Sequence, residues 1–267
     1  MKEDKIKKVT PSLISKYKAD KRKITMLTAY DFYFAKLIDE CGCDLILVGD
    51  SLGQVVLGYE STVPVSLDEI IHHSKAVKRG VKHAMLIGDM PFLSYQISKE
   101  DAMRNVGRLL KESGVNAVKL EGGAEIAGTI AYLTSHGIAV MGHVGLMPQR
   151  VNQMGGYKIQ GKCPQSRKKV MDDALKIADS GVFAIVLEGI PDDLAFEITS
   201  KVHVPTIGIG AGAGCDGQVL VIYDLLNMTH APLPKFVKVF ADAGAVIKNG
   251  VKKYIEEVQD LSFPRSE

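Results

Sequence analysis

Eight short apolar runs recur along the chain, each followed by a polar turn and then, in most cases, by a longer amphipathic stretch. They cover residues 24–28, 44–48, 84–87, 117–120, 138–141, 183–187, 205–209 and 219–222. The runs are rich in Val, Ile and Leu and do not alternate with polar residues. That is the pattern of strands buried on both faces of a parallel sheet. Five of the intervening segments carry helix signals. Ser66 with Glu69 reads as a capping box opening a helix that ends near Arg79-Gly80. Ser98 and Asp101 open a second helix, ending near Ser113-Gly114, and a third runs from Gly122-Gly123 to His136-Gly137. The fourth spans Arg167 to Ser180-Gly181, and the fifth runs from Pro191 to Ser200. Gly closes four of the five, which predicts left-handed C-terminal caps. Strands alternating with helices specify a parallel α/β protein.

At 267 residues with no break in composition, the chain suits one closed barrel better than two doubly wound domains. The expected fold is therefore an eight-stranded parallel (β/α) TIM-type barrel forming a single domain over 1–267. An N-terminal arm or helix occupies 1–23 and C-terminal helices occupy 234–259. The arm carries Lys2, Lys5, Lys7, Lys8, Lys16, Lys18, Lys21, Arg22 and Lys23 interleaved with acids, and reads as solvated. Overall, 33 Lys+Arg face 31 Asp+Glu, which gives no electrostatic case for nucleic acid. No run reaches the roughly 18–20 apolar residues of a membrane span. Charged residues follow Met1 with no signal-peptide pattern, so no membrane association and a cytoplasmic location are expected. Cys41, Cys43, Cys163 and Cys215 have no zinc or redox spacing and are expected to be reduced thiols.

Chemistry concentrates where the strands end. The second run leads into Asp50-Ser51, the third into Asp89, the fourth ends Lys119-Leu120-Glu121, the fifth leads into His143 and the sixth into Glu188. Five consecutive strands thus bring an ionisable side chain to one barrel mouth, the face that carries function in this architecture. A single Asp or Glu after a strand is more often a helix cap or a solvated loop residue. His143 alone would more often be a hydrogen-bonded structural histidine, and Lys119 an ion-pair partner. Five in succession, nearly all beside Gly, are harder to assign to capping. Crowded carboxylates repel and call for a cation, and hard oxygen donors favour Mg2+. Gly208, Gly210 and Gly212 match a relaxed dinucleotide fingerprint. That stretch leads into the apolar run at Val219 rather than into a helix, which argues against NAD.

Many segments, in order, resemble the ketopantoate hydroxymethyltransferase family. They include Val48 to Gly53, Gly58 to Pro64, His72 to Val77, Gly88 to Phe92, Val118 to Gly123 and Gly142 to Gln149. The resemblance continues through Gly155 to Lys162, Leu187 to Pro191, Ile207 to Gly212, Cys215 to Val219 and Pro234 to Lys238. It implies transfer of a hydroxymethyl group from methylenetetrahydrofolate to α-ketoisovalerate, giving ketopantoate through a Mg2+-stabilised enolate in pantothenate and coenzyme A biosynthesis. It further implies Asp50 and Asp89 as metal carboxylates with Glu121 nearby. Lys119 and Ser51 would join Asp50 and Asp89 in holding substrate, Glu188 would be the general base, and His143 would support the site. A homo-oligomer, a decamer in this family, is implied as well. Two other readings stay open on the residues: a folate-independent Mg2+-dependent lyase or aldolase acting on a 2-oxo acid, and a non-catalytic metal- or ligand-binding barrel.

Overall fold

A computed structural model describes residues 8–229 and 232–264. Lys2, Lys5 and Lys7 of the basic arm lie outside the described residues. The chain forms two compact units, one up to Val219 and one from Leu220.

The first unit is a closed barrel whose eight strands follow chain order. They are β1 (Ile24–Thr28), β2 (Leu45–Val48), β3 (Met85–Asp89), β4 (Ala117–Glu121), β5 (Val140–Gly145), β6 (Ala184–Glu188), β7 (Thr206–Ile209) and β8 (Gly217–Leu220). The pairs between neighbours from β1 to β8 are parallel. Each expected apolar run holds a strand, with ends shifted by up to a few residues.

One core fills the barrel interior. Met85 and Ile87, Ala117, Met141, Ala184 and Val186 belong to it, together with Ile24, Met26, Leu45, Leu47, Ile207 and Val219. Successive strand side chains point to opposite faces. Two residues further along β3 comes Asp89, along β4 come Lys119 and Glu121, along β5 comes His143 and along β6 comes Glu188. The inward parity that packs the core therefore carries these groups into the layer above it. The register aligns them, with Asp89 beside Lys119 and Glu121 beside His143.

The floor of the barrel departs from a solvated arm. Thr10 caps a helix over Pro11–Ala19, accepting from Leu13 N–H. Its Ile14 is fully buried and, with Val9, joins the barrel core. The lysines beside it remain at the surface or pair: Lys18 Nζ lies 2.8 Å from Asp216 Oδ2.

The capping box at Ser66 is present, and its helix is Leu67–Gly80. Gly114 ends Lys99–Ser113 in the left-handed region, at φ 73°. Gly80 does not serve as such a cap. It lies inside its helix, where a Cβ would sit 2.6 Å from the Phe32 carbonyl oxygen. Gly is needed there because the Phe32–Glu40 helix, absent from the five expected, passes too closely for a side chain.

In the second unit, Ile222–Leu225 forms one helical turn and Ala243–Gln259 a long helix. Asp242 caps the latter by accepting from Ala245 N–H. The long helix starts later than the expected 234 and buries none of its residues; Val246, Val251 and Tyr254 are exposed. Among the described residues all four cysteines are free, and no helix is long and apolar enough to cross a membrane.

Candidate active site

The mouth layer is built from buried charge. Asp50, Asp89, Lys119, Glu121 and His143 are all buried. Asp50 sits in the turn after β2, and its backbone N–H donates to Asp89 Oδ2 at 3.2 Å. Lys119 Nζ lies 2.7 Å from Asp89 Oδ1 and 3.2 Å from Glu121 Oε1. One carboxylate oxygen from each of Asp50, Asp89 and Glu121 falls within 4.8 Å of the others. Each of the three carboxylates predicted as ligands thus joins one cluster, with Lys119 against two of them.

His143 connects this cluster to Glu188. Its Nε2 lies 2.9 Å from the Leu146 carbonyl oxygen, which only accepts, so Nε2 carries the proton. Nε2 is also 3.3 Å from Glu188 Oε2, while Nδ1 faces Glu121 Oε1 at 3.4 Å. The turn that shapes this contact needs Gly145, at φ 99°. A Cβ there would lie 2.3 Å from the Glu188 carbonyl oxygen. That oxygen instead accepts from Leu146 N–H at 2.8 Å. Glu188 does not cap the following helix, which starts at Asp192 with no side-chain cap.

Ser51 is half-buried at the rim and shares a 2.8 Å hydrogen bond with the Tyr30 hydroxyl. Gly208 lies in β7, and Gly210 and Gly212 lie between β7 and β8, with no helix opening on them.

Electrostatics separate the carboxylates. Burial, then the charges of Asp89 and Glu121, push Asp50 well above the usual carboxylate range. Burial also raises Asp89 against the pull of Lys119. Burial would raise Glu121 too, but Lys119 and His143 outweigh it and bring it down to about 2. Lys119 is held charged: burial opposes this, and Asp89, Glu121 and Asp50 overcome it. It therefore suits anion binding and not proton abstraction. Glu188 behaves differently. Burial raises it to about 7, with His143 pulling back. A carboxyl poised near neutrality beside Glu121 and Lys119, both held charged, fits separated acid–base roles.

Two residues without assigned roles complete the layer. Gln149 bonds Asp50 and the Tyr95 hydroxyl, and Tyr95 bonds the Glu121 backbone. Gln149 ends one of the segments that carry the family resemblance, yet as a neutral amide it shows no charge pattern. Nothing in the sequence around Tyr95 marks it.

A family model described as ketopantoate hydroxymethyltransferase matches residues 8–266. A protein named 3-methyl-2-oxobutanoate hydroxymethyltransferase from Thermoanaerobacter sp. (strain X514) is 54% identical over 260 residues, covering 97% of this chain and 95% of its own. One of the same name from Clostridium novyi (strain NT) is 55% identical over 260 residues, covering 97% and 94%. Among solved structures, a phosphonopyruvate hydrolase complexed with oxalate and Mg++ superposes with TM-score 0.63 at 12% identity, over 94% of this chain and 88% of that one. A 2,3-dimethylmalate lyase gives 0.59 at 13% identity, over 96% and 90%. At such identities these two show a shared fold.

Proposed function

The chain belongs to the ketopantoate hydroxymethyltransferase family. From that premise we propose that it forms ketopantoate, in pantothenate and coenzyme A biosynthesis, by adding a hydroxymethyl group to α-ketoisovalerate. The one-carbon donor is methylenetetrahydrofolate, and the metal is Mg2+ held by Asp50, Asp89 and Glu121. The observation that carries this reading is the buried triad with Glu188 standing apart from it on β6.

The donor set fits the ion. Three carboxylates share the space with one lysine, so the cluster lacks positive charge, and burial plus mutual repulsion already raise Asp50 and Asp89. All three donors are hard oxygens, which suits Mg2+ over softer metals. When bound there, Mg2+ would supply Lewis acidity toward the negative charge that develops on the substrate's ketone oxygen.

The chain's own groups do the rest. Lys119 and Ser51 hold the substrate carboxylate, Lys119 by a charge that its neighbours keep permanent. Glu188 removes the proton from the branched carbon. Its value near 7 leaves a large ionised fraction at neutral pH and gives the conjugate acid enough proton affinity to serve. His143 donates through Nε2 toward Leu146 O and lies against Glu188, which orients the base. A cytoplasmic location and a decameric assembly belong to the same reading. The exposed apolar residues of the Ala243–Gln259 helix support self-association.

The test is product formation from α-ketoisovalerate with Mg2+ and either methylenetetrahydrofolate or formaldehyde alone. Ketopantoate that depends on the folate is expected. Equal turnover with formaldehyde alone would instead support a folate-independent aldolase. Binding without deuterium exchange at the branched carbon in D2O would support a non-catalytic barrel.

A further inference from the structure

We propose that Gln149 is a positioning residue that sets the spacing of the acidic triad, with the Tyr95 hydroxyl fixing the direction of its amide. This rests on reading the triad as a Mg2+ site. Gln149 lies after β5, yet it reaches groups from three other strand ends. Its Nε2 donates to Asp50 Oδ2 at 3.0 Å and to the Met90 carbonyl oxygen at 2.9 Å. Its backbone N–H donates to Glu121 Oε2 at 3.2 Å. One residue therefore orients two of the three carboxylates, and Asp50 passes the constraint to Asp89 through its own N–H.

The direction of the amide is forced. The Met90 carbonyl oxygen can only accept, which fixes Nε2 on its side and leaves Oε1 facing the Tyr95 hydroxyl at 2.7 Å; that hydroxyl shares its one proton between Oε1 and the Glu121 carbonyl oxygen at 2.8 Å. That hydroxyl also receives Glu121 N–H at 3.2 Å, so Tyr95 is tied to the strand that bears Glu121. A flipped amide would set oxygen against oxygen at Met90. Both residues are buried, Gln149 at 3% and Tyr95 at 1% exposure, so bulk solvent does not reach these bonds. The chemistry of the residue suits this role. A lysine at this position would neutralise Asp50 and compete with the cation, and a glutamate would add repulsion. A neutral donor directs one oxygen of Asp50 and leaves the cluster's charge for the ion.

The experiment is calorimetric titration of the full chain with MgCl2, and separately with CaCl2, without substrate. Wild type is compared with Gln149→Ala, Tyr95→Phe and Asp89→Ala. Supporting groups of this kind are worth about 10- to 100-fold in metal affinity, and Gln149→Ala is expected to weaken Mg2+ by that amount. Mg2+ demands near-ideal octahedral placement whereas Ca2+ accepts varied geometry, so the Mg2+/Ca2+ preference should fall as well. Weakening of both ions by the same factor would indicate general loosening and overturn the proposal. So would unchanged Mg2+ affinity in Gln149→Ala while Asp89→Ala abolishes binding, a result that leaves the cation site intact. Absence of Mg2+ binding in wild type would instead overturn the cation reading itself. Should Gln149→Ala fail to fold, Tyr95→Phe keeps the packing and removes only the hydroxyl. A reduced Mg2+/Ca2+ preference is expected there, and an unchanged one refutes the role of Gln149 and Tyr95.

Discussion

Glu188→Gln separates proton transfer from everything else the mouth does. The amide keeps the side chain's length and its place against His143 Nε2, which lies 3.3 Å from Glu188 Oε2 in the wild type and bonds the Leu146 carbonyl oxygen. What is lost is proton affinity, together with the negative charge of the ionised form. Loss of a general base lowers a rate by about 10²- to 10⁴-fold, so deuterium exchange into α-ketoisovalerate should fall by that factor while Mg2+ and substrate still bind. In wild type the ionised carboxylate is the active form. Exchange should rise with pH, with its midpoint near 7, the value to which burial brings the group, and level off above it. A cation on the triad favours ionisation, so with Mg2+ the midpoint sits at or below 7. The variant should show no such limb.

Stability gives an independent readout of the same group. The folded pKa near 7 lies above the ordinary 4.5, so the folded state holds a proton that the unfolded chain releases in between. The contribution of Glu188 to stability is complete below about 4.5, falls as pH rises, and is gone above about 7. Glutamine does not titrate. Relative to wild type, Glu188→Gln should therefore gain stability between pH 4 and pH 8, by at most about 3 kcal/mol. The 17% side-chain exposure of Glu188 makes the real figure smaller. Denaturant unfolding in the presence of a chelator measures this. A stability difference that does not change with pH, or exchange at the wild-type rate, refutes Glu188 as the base.

Legibility in the sequence followed charge and periodicity. Asp50, Asp89, Lys119, Glu121, His143 and Glu188 stood out because each interrupts or ends an apolar run, and barrel topology then brings such ends together. The strands were readable for the same reason: a doubly buried strand leaves an unbroken apolar run. The Phe32–Glu40 helix was not, because Phe32, Tyr33, Phe34, Ala35, Leu37 and Ile38 place apolar groups on several faces and blur the helical period. Ile14 was hidden among lysines, since one buried residue in a helical turn makes no pattern. Gly80 carried a capping signature but meets a helical neighbour that only the tertiary structure reveals. Gln149 and Tyr95 are neutral, and their importance lies in partners 99 and 26 positions away in sequence, Asp50 and Glu121.

Asp50→Ala and Asp89→Ala should each weaken Mg2+ and abolish exchange; calorimetry showing unchanged affinity in both would remove the triad as the site. Lys119→Ala should raise the KM for α-ketoisovalerate, and full loss of activity at constant KM would contradict substrate binding. It should also destabilise the fold by about 3–5 kcal/mol, because Asp89 and Glu121 lose their buried partner. Gly145→Ala tests the backbone beneath the base. At φ 99° an L side chain is strained, and the added Cβ would meet the Glu188 carbonyl oxygen at 2.3 Å and Ile190 Cγ2 at 2.8 Å. A rotamer change cannot relieve the first clash because it involves backbone, so the ends of β5 and β6 must part. The 2.8 Å bond from Leu146 N–H to Glu188 O then breaks. Strain of about 1–2 kcal/mol and a lost hydrogen bond of about 1 kcal/mol set the destabilisation at about 2–3 kcal/mol. Because the displacement falls on Glu188 and not on Asp50, Asp89 or Glu121, exchange should drop while Mg2+ affinity stays at the wild-type level. Loss of Mg2+ binding in Gly145→Ala, with the fold retained, would show that base and cation site are not separable as the geometry requires.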